Sequence, residues 1–185
     1  CLSIQNFEFL QPSILETIEN FAFNNSSIEN IQIPDTVTQI GMYAFAICKG
    51  IEKVDFLNSK IQSIEKFVFD STSIVDLSIP ASVTVIKEYA FANTDNLRSI
   101  QVPSNSQLKK IETHAFSRSS IEKFTIPSKF EEIEKEWNIN ASNISDISVM
   151  SDNPNFAIYE NKFFLRKSSK EKEFFDVLIL YFGKD

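Results

Sequence analysis

One apolar spacing recurs along the first 150 residues, and it leaves few folds open to the chain. The spacing is apolar-x-x-apolar-x-apolar. It fits Ile4/Phe7/Phe9, Ile28/Ile31/Ile33-Pro34, Ile51/Val54/Phe56 and Ile74/Leu77/Ile79-Pro80, then Leu97/Ile100/Val102-Pro103, Ile121/Phe124/Ile126-Pro127 and Ile144/Ile147/Val149. The last apolar positions are 9, 33, 56, 79, 102, 126 and 149, so each step is 23 or 24 residues. A chain patterned this way folds as an array in which each unit repeats its neighbour.

The chemistry of one unit comes from the spacing. In an extended segment alternate residues face opposite ways, so Leu77 and Ile79 and their equivalents point to one side. Branched side chains favour that pleated state. Proline cannot donate to a ladder and ends the strand in four copies, while Leu10, Leu57 and Met150 take its place elsewhere. A second apolar pair comes next in each unit: Leu15/Ile18, Val37/Ile40, Ile61/Ile64, Val83/Ile86, Leu108/Ile111 and Phe130/Ile133. In all but the last, a modest residue and a Phe come after it, at Ala22-Phe23, Ala44-Phe45, Val68-Phe69, Ala90-Phe91 and Ala115-Phe116. The small residue lets neighbouring coils approach, and the Phe stacks on its counterpart one coil away. This segment is expected to be a short helical or 3-10 turn on the convex side.

A period of about 20–29 residues with one strand per unit is the signature of a leucine-rich-repeat solenoid. The expected fold is a β-rich solenoid, a right-handed superhelix of horseshoe-like form with short helical or 3-10 turns, plus a C-terminal β-hairpin. One coil cannot stand alone. Burying an apolar side chain contributes roughly 1.5–3 kcal/mol, whereas fixing a residue's backbone costs roughly 1–2 kcal/mol. Shared faces between coils make up the difference.

The array is expected to span residues 1–150. Where Ala-Phe is due in the last unit the chain has Trp137-Asn138, and Trp137 is expected to cover the last Phe of the stack. Residues 151–185 open with a turn signal around Pro154. Phe156 to Leu165, a charged stretch from Arg166 to Glu173 and an apolar stretch from Phe174 to Phe182 read as a hairpin with a mobile tip. It either caps the array or begins a further, truncated one. The opening Cys1 and the abrupt Phe182-Gly183-Lys184-Asp185 are expected of a segment of a longer protein.

Composition removes several functions. With a formal charge of −7 and no basic stripe, nucleic acid and anionic membranes are not expected partners. The longest apolar run, Val177 to Phe182, is far short of the roughly 20 residues of a membrane helix. Two cysteines, Cys1 and Cys48, make no disulfide framework. No targeting signal fixes a compartment.

The unit I-x-x-I-x-I-P-x-x-V-x-x-I-x-x-x-A-F resembles the BspA-like class of leucine-rich repeats over about residues 1–150. The copy Gly41-Met42-Tyr43-Ala44-Phe45-Ala46-Ile47-Cys48 is especially similar, with its Cys three places after the Phe. The Asn-Pro-Asn-Phe segment at 153–156 is similar to the segment that ends arrays in that family. The resemblance implies surface proteins of host-associated bacteria and anaerobic protists, proposed to act in adhesion to host cells, matrix proteins or other microbes. Only Cys48 matches the family Cys, and Gly is mostly lost before the aromatic-Ala-Phe.

No chemistry stands out against this scaffold. His114, the single histidine, falls on a convex turn three coils from Cys48, so no nucleophile pair forms and a Cys-His metal site lacks ligands. Cys48 reads as a buried small residue between coils. Glu131, Glu132, Glu134 and Glu136 share one solvated turn with Lys135. There is no phosphate loop and no calcium loop, and no cofactor is expected. Asparagine acceptor tripeptides begin at Asn24, Asn25, Asn140 and Asn143, the first two on an exposed turn.

What remains is the row of strand residues facing away from the core. Its central column is Glu8, Gln32, Asp55, Ser78, Gln101, Thr125 and Ser148, and its neighbour is Asn6, Asn30, Lys53, Asp76, Ser99, Lys123 and Asp146. Solenoids present such rows as binding faces. The expected function is non-catalytic protein binding by a monomeric array within a surface or secreted adhesin; an intracellular scaffold using the same face is the alternative.

Overall fold

The computed structural model describes residues 7–9, 12–56, 58–141 and 143–181. Ile4, Asn6, Leu10, Leu57 and Phe182 of the sequence patterns lie outside the described residues, as does Cys1. The strands in chain order are β1 (Thr17–Ile18), β2 (Asn30–Gln32), β3 (Gln39–Ile40), β4 (Lys53–Asp55) and β5 (Ser63–Ile64). They continue with β6 (Asp76–Ser78), β7 (Val85–Ile86), β8 (Ser99–Gln101), β9 (Lys110–Ile111) and β10 (Lys123–Ile126). The last five are β11 (Glu132–Ile133), β12 (Asp146–Val149), β13 (Phe156–Tyr159), β14 (Phe163–Arg166) and β15 (Val177–Tyr181).

Each coil contributes one strand to each of two parallel rows, and the chain is a β-solenoid of about six turns. The even-numbered strands β2 to β12 make the first row, with register Asp76↔Ser99↔Lys123↔Asp146 across four coils. The odd-numbered strands β1 to β11 make the second. In β6 the pattern is exposed, buried, exposed, which puts Leu77 in the core and Asp76 and Ser78 outside. The apolar ruler therefore reads directly as the core, a cluster continuous from Ile18 to Phe164.

Both rows are interrupted, at different places. In the first, β2 pairs β4 and β6 pairs β8, with no ladder between β4 and β6. In the second, β1 pairs β3 and β5 pairs β7, with none between β3 and β5. The third coil is thus bonded backward through its first strand and forward through its second. Ile61 comes five places after Phe56, whereas Val37 comes four after Ile33 and Val83 four after Ile79. The extra residue lies between the two strands.

The convex segment corrects one expectation: no helix occurs among the described residues. Successive turns replace it. Alternate amides bond within the turn, as Ala44 to the Gly41 carbonyl (3.3 Å) and Ala46 to Tyr43 (3.2 Å). The amides between them cross to the next coil, Tyr43 to Lys66, Phe45 to Val68 (3.0 Å) and Ile47 to Asp70 (2.8 Å). A helix would need every amide for its own chain; here half of them tie coils together.

Each turn also carries two left-handed residues four apart, including Tyr43 and Ile47, Tyr89 and Asn93, and His114 and Arg118. Bulky residues rarely adopt this conformation, which costs roughly 1–2 kcal/mol. Here the aromatic members stack along the axis. Phe21, Tyr43, Phe67, Tyr89 and His114 lie 4.6–4.8 Å apart between centroids, within 10° of parallel. Two places on, the expected Phe column runs Phe23, Phe45, Phe69, Phe91 and Phe116 at 5.2–5.5 Å. Trp137 then meets Phe116 edge-on at 6.1 Å and 84° and ends that column.

Asp70 sits at the edge of these turns, where Asn93 Nδ2 donates to its Oδ1 at 2.8 Å. Partial burial pushes its carboxyl above the ordinary range, outweighing the hydrogen bonds from Asn93 and Ser71 that pull it down. A carboxyl raised by folding favours the folded state while protonated, and that contribution declines as pH climbs from the unfolded towards the folded value. Asp70→Asn keeps the acceptor and removes the ionisation. Urea titrations across the acidic to neutral range should show a smaller loss of stability with rising pH in the variant; an unchanged slope would contradict it.

The C-terminal hairpin has one strand more than expected. Glu160 and Asn161, both at positive φ, turn β13 back into β14, and β15 adds antiparallel to β14. The charged tip is pinned: the Ser168 amide donates to Asp176 Oδ1 at 2.7 Å and Lys170 Nζ reaches Glu131 at 3.1 Å. Phe156 joins sheet to array, 5.3 Å from Phe130 and 5.5 Å from Phe164.

Candidate functional site

The strands place the expected rows on one face. Asn30, Gln32, Lys53, Asp76, Ser78, Gln101, Lys123, Asp146 and Ser148 are exposed, with Asp55, Ser99 and Thr125 half-buried. Glu8 is exposed next to that face, in a segment without strand pairing. Alternation in each short strand explains this: the central residue is taken by the core, so its two neighbours must face out.

The rows are not uniform. In the later coils polar groups satisfy one another: Ser99 Oγ donates to Asp76 Oδ1 at 2.5 Å, and the Thr125 and Ser148 hydroxyls share a 2.8 Å bond. The hollows lie in the earlier coils. One of about 330 Å³ brings together Glu8, Asn30, Gln32, Lys53 and Asp55 with Phe7 and Phe9. Another, about 390 Å³, lies between Lys53, Asp76, Ser78 and Gln101. The largest, about 780 Å³, opens where β4 and β6 part, from Lys53 and Asp55 to Ser78, Gln101 and Pro103. The Ser59 hydroxyl at its rim is buried and has no hydrogen-bond partner among the described residues.

His114 and Cys48 have separate structural roles. The imidazole is the last ring of the convex stack, with Thr113 Oγ1 3.1 Å from Nδ1 and Glu136 3.2 Å from Nε2. Cys48 Sγ is fully buried, donates to the Phe23 carbonyl at 3.0 Å and lies 3.3 Å from Ser26 Oγ. It belongs to a column that sequence reading missed: Ser26, Cys48, Thr72, Thr94 and Ser119, each three places after its Phe and each buried. Thr72 and Thr94 donate to the carbonyls of Phe69 and Phe91, at 2.9 and 2.7 Å. The signal was a small donor at a fixed offset in five coils. The four glutamates of the last turn do not all face open solvent: Glu134 meets Lys110 at 2.6 Å and Glu131 meets Lys109 at 3.5 Å.

The fold and its outward polar rows define a repeat scaffold with an extended face. Residues 16–145 and 62–175 match the family described as BspA type Leucine rich repeat region, in six copies. The chain belongs to that family, whose repeat region is generally a non-enzymatic scaffold. No curated protein matches it. Among solved structures it is similar to the pneumococcal vaccine antigen PcpA (22% identity, TM-score 0.76, covering 83% of this chain and 40% of that one). It also resembles a leucine-rich repeat protein of Bacteroides ovatus (19%, TM-score 0.65, covering 82% and 50%). A third likeness is a leucine rich cell surface protein of Faecalibacterium prausnitzii (21%, TM-score 0.59, covering 91% and 50%). In each case the matched region is half or less of the other protein's length. No helix among the described residues is long and apolar enough to cross a membrane.

Proposed function

We propose that this chain is a non-catalytic protein-binding module of a cell-surface or secreted adhesin, engaging a host or microbial protein through its first row of strands. The observation that carries the reading is the concentration of hollows around β2, β4 and β6, where outward polar side chains border about 780 Å³ of open volume. Leucine-rich-repeat modules generally bind proteins, and members of this family are typically surface proteins. The likeness to a vaccine antigen and to a cell surface protein supports the same reading.

The test is binding of the isolated chain to host cells and immobilised matrix proteins. Replacing Lys53, Asp55, Ser78 and Gln101 together with alanine should weaken binding by more than about tenfold if they border a hot spot. A matched set of substitutions on the convex turns should leave binding intact. Equal binding by both variants would remove the strand face from consideration.

A further inference from the structure

On the flank where the strands of the last coils end, a hollow of about 520 Å³ collects four lysines: Lys109, Lys129, Lys167 and Lys170. They come from three separate elements, namely two successive coils and the loop between β14 and β15. Their convergence is therefore a product of the fold and not of a basic run. One carboxylate shares the hollow, Glu131, which bonds both Lys109 (3.5 Å) and Lys170 (3.1 Å). Four ammoniums against one carboxylate leave a local excess of three positive charges in a chain of net charge −7. The three hollows of the strand face hold at most two lysines each, always with a carboxylate.

The remaining two lysines are held without being neutralised. Lys129 Nζ donates to the amide oxygen of Gln107 at 2.6 Å, and Lys167 Nζ sits 5.4 Å from the centroid of the Phe175 ring. Neither has a carboxylate within ion-pair distance among the described residues. Nearby Asp152 is engaged by the Ser128 hydroxyl. Neutral partners fix the ammoniums in place and leave their charge directed at the opening. A hollow of this volume suits a small ligand, and lysine is a common point-charge binder of phosphate.

We infer that this hollow is a binding site for a multiply charged anion of the sulfate- or phosphate-ester class, placed between Lys129 and Lys167, with Glu131 clamping the other two lysines. The site does not depend on the strand face being a protein-binding surface.

Calorimetric titration of the full chain at low ionic strength tests it, with a sulfated disaccharide in one arm and a sugar bisphosphate in the other. Saturable binding of one equivalent is expected in at least one arm, and the arm that binds names the ester. Lys129→Gln and Lys167→Gln should each weaken it by about tenfold, the range of a charge-assisted hydrogen bond, and added salt should weaken it further. Lys129→Arg should restore most of the affinity, and Lys135→Gln, outside the hollow, should not change it. Absence of saturable binding in both arms would overturn the assignment. So would equal affinities in the wild type and both glutamine variants, whose unchanged melting would show that they fold.

Discussion

Phe91→Ala is expected to destabilise the chain by about 3–5 kcal/mol, the range for truncating a fully buried Phe. The ring is 0% exposed and lies between Phe69 at 5.5 Å and Phe116 at 5.3 Å, so its loss opens a cavity with a ring face on either side. Collapse into that cavity is blocked because the flanking backbones are held apart by amide bonds, Phe91 to the Ala115 carbonyl (2.8 Å) and Phe69 to Ala90 (2.9 Å). Phe91→Leu should cost less, since it retains most of the volume. Chemical denaturation of both variants checks the pair. A Phe91→Ala loss below about 1 kcal/mol would mean that the column does not carry the core.

Asn153→Ala comes second, at about 2–4 kcal/mol, from leaving several buried backbone groups without partners at about 1–3 kcal/mol each before water relieves some of them. Asn153 is 8% exposed. Its Nδ2 donates to the Pro127 and Phe130 carbonyls at 2.6 and 3.2 Å, and its Oδ1 accepts from the amides of Asn155 and Phe156 at 2.8 and 3.0 Å. One side chain thus joins the last coil to the first strand of the C-terminal sheet. Limited proteolysis should cut the variant near residues 151–155 faster than the wild type while leaving the coils resistant. Identical cleavage patterns would show that the Phe130–Phe156–Phe164 contacts hold the joint without it.

The strands, their inward residues and the Phe column were legible because each is a local periodicity of side-chain type. Trp137 was legible as an ending because it breaks that periodicity. The convex turns were misread for a physical reason: whether an amide bonds up its own chain or across to the next coil leaves no mark on apolar spacing. The stack from Phe21 to His114 had a signal, a ring two places before each Phe, but its left-handed backbone is one that ring side chains seldom adopt alone. The parting of the rows at the third coil was not legible from loop length. Val102 and Leu108 are six apart, a longer link than Phe56 to Ile61, yet β8 pairs β10 and β7 pairs β9 without interruption. The lysine hollow was invisible for a simpler reason, since Lys109 and Lys170 meet one carboxylate across 61 positions of sequence.

The cross-coil amides have a direction. Along the convex side the donors belong to the earlier coil and the acceptors to the later one, from Phe21–Met42 through Phe45–Val68 to Arg118–Ile139. The two end surfaces of any coil are therefore unlike, one offering carbonyls and the other amides, and they mate head to tail. Excising one whole internal coil would bring together surfaces already matched in polarity, ring position and hydroxyl position. Gaining or losing a unit is in that sense a gentler change for this architecture than one altered ring inside it. Trp137 marks the limit of that freedom, because an edge-on indole presents no parallel face for another Phe to continue.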